Sequence, residues 1–101
     1  MIVYLLWMRT AIEKIIKNFV LKDVSGADYS LEVNQGDDNL ELYEIYIYLP
    51  HKTDREEVLI IKERLERALS HLGLRGIFGG LYDYKNQNKF VINVRGRYKP
   101  E

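Results

Sequence analysis

Chemistry in this chain would have to come from few side chains. Two histidines, His51 and His71, and the carboxylate pair Asp37-Asp38 are the candidates for acid–base or metal work. There is no cysteine to serve as nucleophile, thiolate ligand or disulfide. His51 follows Pro50 in a predicted loop. His71 falls in the last turn of a predicted helix, where positive charge suits the helix dipole. No spacing brings the two together, and no serine lies in a nucleophile motif. Asp37-Asp38 sits in a turn, where adjacent carboxylates are solvated, whereas a metal-dependent nuclease needs several carboxylates converging on one point. The sequence therefore predicts no enzyme activity, no metal site and no cofactor.

What remains is aromatic and basic. The stretch GDDNLELYEIYIYLP, residues 36 to 50, carries Tyr43, Tyr46 and Tyr48 with no Lys or Arg among them. Successive strand side chains alternate between faces, so Tyr43 goes with Ile45, Ile47 and Leu49, while Tyr46 and Tyr48 point the other way. Downstream, Arg95 and Arg97 lie opposite the apolar face of Phe90, Ile92 and Val94, with Tyr82 and Tyr84 on the preceding strand. The segment LRGIFGGLY holds Gly76, Gly79 and Gly80 in a strand context, which marks a bulge or a close backbone approach. It lacks the GK[ST] ending of a phosphate loop. Tyrosine suits a half-buried pleated surface, and it also offers rigid apolar area plus a hydroxyl for binding. The candidate partner-binding residues are Tyr46, Tyr48, Gly76, Gly79, Gly80, Tyr82, Arg95 and Arg97. The expected site is a groove between two units, in which an extended peptide pairs with a free strand edge. The alternative is a single-stranded nucleic acid stacked on the basic, aromatic second hairpin. The acidic first hairpin argues against that alternative, because it would repel phosphates.

The elements that must position these residues read clearly. Leu5, Met8, Ile12, Ile15 and Phe19 make an apolar stripe at helical spacing that stops near Gly26. Ala27 to Asn34 alternates as a half-buried strand, Gln35 to Asn39 is a turn by residue type, and Tyr43 to Leu49 is a second strand. Thr53-Asp54-Arg55-Glu56 forms a capping box that opens a second helix, whose apolar face runs Val58, Ile61, Leu65, Ala68, Leu69 and Leu72. Glu63 and Arg67 can pair on its exposed side, and Gly73 ends it. A second hairpin spans Leu74 to Tyr84 and Lys89 to Arg95. The expected fold is α+β, with two helix-plus-β-hairpin units in αββαββ order and both helices on one face of an antiparallel sheet. The alternative takes residues 1–8 as a strand, giving a ferredoxin-like sandwich. Ile16, Phe19, Ile45, Ile47, Leu65, Leu69 and Ile92 are the expected core.

The 101 residues make a single domain with a first unit over 1–50 and a second over 51–101. The units superpose as an internal repeat, at an offset of 49 over the helices, 48 over the first strands and 45 over the second strands. Net charge is zero, but residues 1–50 hold four Lys/Arg against eight Asp/Glu, and residues 51–101 hold eleven against seven. Opposite charge blocks attract each other within a chain or between copies, which adds a homodimer to the expected protein partners. The opening MIVYLLWM is too short to span a bilayer and lacks the features of a secretory signal, so a cytoplasmic protein without membrane contact is expected.

The chain as a whole, with eight tyrosines, no cysteine and runs such as ELYEIYIYLP and KFVINVRGRY, resembles the orphan proteins of filamentous viruses that infect hyperthermophilic archaea. The resemblance is one of style over the whole chain, with no specific motif. It implies a protein that binds other proteins in the host cytoplasm and has no enzymatic role.

Overall fold

A computed structural model describes residues 2–99, with side chains from residue 7 onward. The elements run α1 (Ile2–Ile16), β1 (Asp28–Gln35), β2 (Glu41–Pro50), α2 (Arg55–His71), β3 (Arg75–Tyr84) and β4 (Lys89–Tyr98). This is the expected αββαββ order. The strands form one antiparallel sheet in the order β1-β2-β4-β3, and both helices bury their apolar stripes against the same face.

Residues 2–8 are helical, so they do not supply the strand of the ferredoxin-like alternative. The central position that such a strand would fill is taken by β4 instead. Moving β4 to the front of the chain would produce β-α-β-β-α-β connectivity on the same sheet. The architecture is therefore a ferredoxin-like plait whose chain is permuted.

Strand pairing also corrects the superposition of the units. Leu31 pairs with Ile45 and Gly79 pairs with Val94. If Leu31 corresponds to Gly79, then Ile45 corresponds to Val94, 49 residues on (94 − 45), and not to Phe90 at 45. An alternating pattern fits equally well after any even slip, so apolar periodicity alone could not separate the two. Ile45 and Val94 are themselves cross-strand partners at the middle of the sheet.

The core holds Met8, Ile12, Ile16 and Val20 from the first helix and Val58, Ile61, Leu65 and Leu69 from α2. The strands add Tyr43, Ile45, Ile47, Leu49, Phe90, Ile92 and Val94. Phe19 is the exception among the expected core residues, at 45% exposure. The last turn of the first helix, Lys17–Leu21, is π-helical, with Lys22 N–H donating to the Lys17 carbonyl. The extra residue in that turn keeps a strict four-residue spacing on the core, so Val20 enters and Phe19 turns outward. Ile15 is half-buried, and the Leu5 side chain lies outside the described residues. Phe19→Ala should cost under about 1 kcal/mol, against about 3–5 kcal/mol for Phe90→Ala. Urea unfolding of the two variants checks this.

The cap of α2 also differs from expectation. Asp54 is the N-cap and accepts from Glu56 N–H at 3.1 Å, because its short carboxylate meets the second helical amide directly. On the same helix the ion pair observed is Lys62–Glu66 at 2.6 Å. Among the described residues Glu63 and Arg67 form no ion pair.

Candidate partner-binding face

The helices cover one face of the sheet and leave the other open. Alternation along the strands assigns the open-face residues. They are Asp28, Ser30, Glu32 and Asn34 on β1; Leu42, Glu44, Tyr46 and Tyr48 on β2; Lys89, Val91, Asn93, Arg95 and Arg97 on β4; and Phe78, Gly80, Tyr82 and Tyr84 on β3. Tyr46 stands opposite Asn93, and Tyr48 opposite Val91. Phe78, Leu42, Tyr82 and Tyr84 are exposed, Phe78 at 66%. Val91 and Asn93 are buried although they lie on the open side, Asn93 at 7% exposure. Gly80, next to Asn93, has no Cβ, and the Tyr82 hydroxyl lies 3.4 Å from where one would be.

Charge divides this face along the seam between the units. The β1–β2 half carries Asp28, Glu32 and Glu44, and the β4–β3 half carries Lys89, Arg95 and Arg97. Asp83 is not part of it, since it pairs with Phe90 on the helix side and meets His51 Nε2 at 3.1 Å. Glu44 and Arg95 are cross-strand neighbours, yet no ion pair joins them. Glu44 instead accepts a hydrogen bond from the Tyr46 hydroxyl. That bond, with partial burial, raises the Tyr46 pKa above the ordinary tyrosine value. Tyr48 shares a 3.3 Å hydrogen bond with Ser30, and Lys89 Nζ lies 5.1 Å from the Tyr48 ring centre. Among the described residues Arg95 and Arg97 take part in no ion pair. They border a cleft of about 360 Å³ together with Leu42, Glu44, Gly76 and Phe78.

The sequence-derived site residues thus divide. Tyr46, Tyr48, Gly80, Tyr82, Arg95 and Arg97 share the open face. Gly76 sits at the β3 bulge between Arg75 and Phe78, with φ +61°, and a Cβ there would lie 2.6 Å from Arg97 Nη2. Only glycine accepts both that backbone and that guanidinium. Gly79 belongs to the other face, under α2, where a Cβ would lie 2.9 Å from Glu66 Oε1. Its small size serves helix packing and lines no groove.

The expected groove at the seam is also corrected. β2 and β4 pair over ten residues, from Glu41–Tyr98 to Pro50–Lys89, because the apolar faces of both strands register over the same helices. No free backbone edge exists there. The unpaired edges belong to β1 and β3. Phe78, Leu42 and Lys89 join the candidate site residues on this face. Their signal was strand parity, and for Phe78 the bulge at Gly76 hid it.

Among the described residues no group of three His, Asp or Glu side chains could hold a metal ion, and no helix is long and apolar enough to cross a membrane. The fold and the face define a class, an α+β plait with an open aromatic sheet surface of divided charge. Comparison with known proteins goes no further, with no matching family model, no matching curated protein and no matching solved structure.

Proposed function

We propose that this chain is a non-enzymatic interaction module that binds a protein partner on its open sheet face. The observation that carries the reading is the exposure of Phe78, Tyr82, Tyr84 and Leu42 around half-buried Tyr46 and Tyr48, beside two arginines without ion pairs among the described residues. Exposed aromatic area next to unpaired guanidinium is the composition of interface anchors. The resemblance to orphan proteins of archaeal filamentous viruses points the same way, as does a cytoplasmic setting for a chain without cysteine. The like connectivity of the two units, meeting through β2 and β4, supports an internal duplication that turned two hairpins into one surface.

One observation favours single-stranded nucleic acid as a second reading. The β4–β3 half presents Phe78, Tyr82, Tyr84, Arg95 and Arg97 with no carboxylate, which is the make-up of a stacking platform. Glu44 and Glu32 lie one and two strands away from Arg95. At a strand spacing of about 4.8 Å both fall within or close to a Debye length of about 8 Å, so they oppose bound phosphate. That places protein first.

Titration with fluorescent oligonucleotides and with peptides selected from a library tests the proposal. Tyr82→Ala should weaken selected peptides at least about 10-fold with the fold intact, because stacked interface tyrosines carry a disproportionate share of affinity. If oligonucleotides bind instead, with an affinity that falls steeply in salt and a slope reduced by changing Arg95 and Arg97, the second reading replaces the first. Peptide binding indifferent to Tyr46→Ala, Tyr48→Ala and Tyr82→Ala removes the open face as the site.

A further inference from the structure

We infer that the partner on the open face is a second copy of this chain, packed sheet to sheet about a twofold axis parallel to the strands. The inference rests on the open face being the binding surface, and it names the occupant from the distribution of charge. A twofold axis along the strands reverses the strand order of the copy, so its β1–β2 half covers the β4–β3 half of the first. Asp28, Glu32 and Glu44 of each chain then face the half holding Lys89, Arg95 and Arg97 of the other. A twofold axis across the strands would lay like charge on like charge. Only the first arrangement is self-complementary, and a twofold interface must be.

The register selects one contact. Glu44 and Arg95 stand at the same height on the two central strands. Turning the copy about an axis that runs along the strands keeps that height, so Arg95 of each chain meets Glu44 of the other, twice per dimer. Packed sheets cross at about 30° because each is twisted. Central strands close to the axis are displaced least, which is where this pair lies. Among the described residues of one chain Arg95 has no ion-pair partner and Glu44 is engaged by Tyr46 alone, so each keeps capacity for the other copy. Between the charged positions, Leu42, Tyr46, Tyr48, Val91 and Tyr82 would supply the apolar contact. Three strands of ten residues and one of eight, four abreast, span about 33 by 19 Å at most, a footprint of about 600 Å² per copy before side-chain relief. That is the low end of what specific interfaces bury, so the dimer should form in the micromolar range and loosen in salt.

A charge swap in the full chain decides the matter. Sedimentation velocity from about 10 µM to about 1 mM should show a reversible dimer. Glu44→Arg alone and Arg95→Glu alone should each weaken it at least about 10-fold, since each places two like-charged contacts at the centre. Mixed in equal amounts, the two variants should recover the wild-type association as a heterodimer, because both contacts are then opposite in sign. Far-ultraviolet circular dichroism confirms that each variant is folded, and Glu44→Gln gives an intermediate effect free of the reversed charge. Folded variants whose mixture fails to recover association overturn the inference. Self-association indifferent to either variant also overturns it, and moves the contact off the open face to the β1 or β3 edge or to the helix layer, where Trp7 and Ile60 are exposed. A wild type that stays monomeric but binds a selected peptide through Tyr82 overturns the homodimer and leaves the open face standing. A monomer whose ligands all ignore Tyr82 overturns both.

Discussion

Replacing Ile47 with alanine should remove about 2–5 kcal/mol of stability, a large part of the roughly 5–15 kcal/mol available to a domain of this size. Ile47 is wholly enclosed, and it is held from both sides, by Tyr29 on β1 and Ile92 on β4. Neighbours fixed in two ladders cannot collapse into the space left behind, so the cavity cost adds to the lost transfer energy. Urea unfolding measures this as a lower midpoint at unchanged slope. Its companion is Tyr48→Ala, on the open face, which removes a half-buried ring and one hydrogen bond to Ser30. If the tyrosine variant costs more than the isoleucine variant, the strand is slipped by one residue and its faces are exchanged.

Strand parity is the part of this molecule that sequence states best. Tyr43, Ile45, Ile47 and Leu49 are all on the core face, because one buried side leaves only one workable phase for a period of two. Periodicity cannot fix how far one strand has slid against another by an even number of residues. By alternation alone Ile45 falls on Phe90 as readily as on Val94. It also cannot count a helix with an inserted residue. Ile16 and Phe19 both fit an α-helical stripe, and the π turn at Lys17–Leu21 decides between Phe19 and Val20. Nor does composition say which strand takes the centre of a sheet. Apolar residues 1–8 read as a strand as readily as a helix, and the central place went to β4 at the other end of the chain.

The candidate face was legible in kind and less so in extent. Tyr46, Tyr48, Arg95 and Arg97 follow from alternation alone. Glycine in a strand signals a close approach, and for Gly79 sequence does not say from which side. Here the approach is by α2. The divided charge of the face was visible only as an imbalance between halves of the chain. It became a surface property once β2 and β4 were seen to pair, since that ladder lays an acidic hairpin beside a basic one.

Stability should also fall in alkali from about pH 10 upward, and Tyr43→Phe should abolish much of that loss. Burial, and then the nearby carboxylate of Glu41, push the Tyr43 hydroxyl well above the ordinary tyrosine range. Hydrogen bonding to Glu13 raises Tyr29, and hydrogen bonding to Glu44 raises Tyr46. A tyrosine whose folded pKa lies above its unfolded value of 10.0 is neutral in both states at neutral pH. Above pH 10 the unfolded chain releases that proton and the folded chain keeps it. The unfolded state is thereby favoured, by about 1.4 kcal/mol per pH unit through Tyr43. The same substitution is stabilising at pH 7 as well. Tyr43 Oη and Glu41 Oε1 are enclosed, and neither has a hydrogen-bond partner among the described residues. Removing a buried hydroxyl that pairs with nothing should raise stability by about 1–3 kcal/mol. Glu41→Gln should raise it as well, because a buried carboxylate at 3% exposure loses its charge while keeping its shape. Urea midpoints at pH 7 and pH 11 for the wild type and both variants separate these effects. Tyr43→Phe should move the two midpoints toward each other and lift the one at pH 7. A fall at pH 7 would show that the hydroxyl has a partner after all, and that the buried end of β2 is held together by the pair it had been taken to strain.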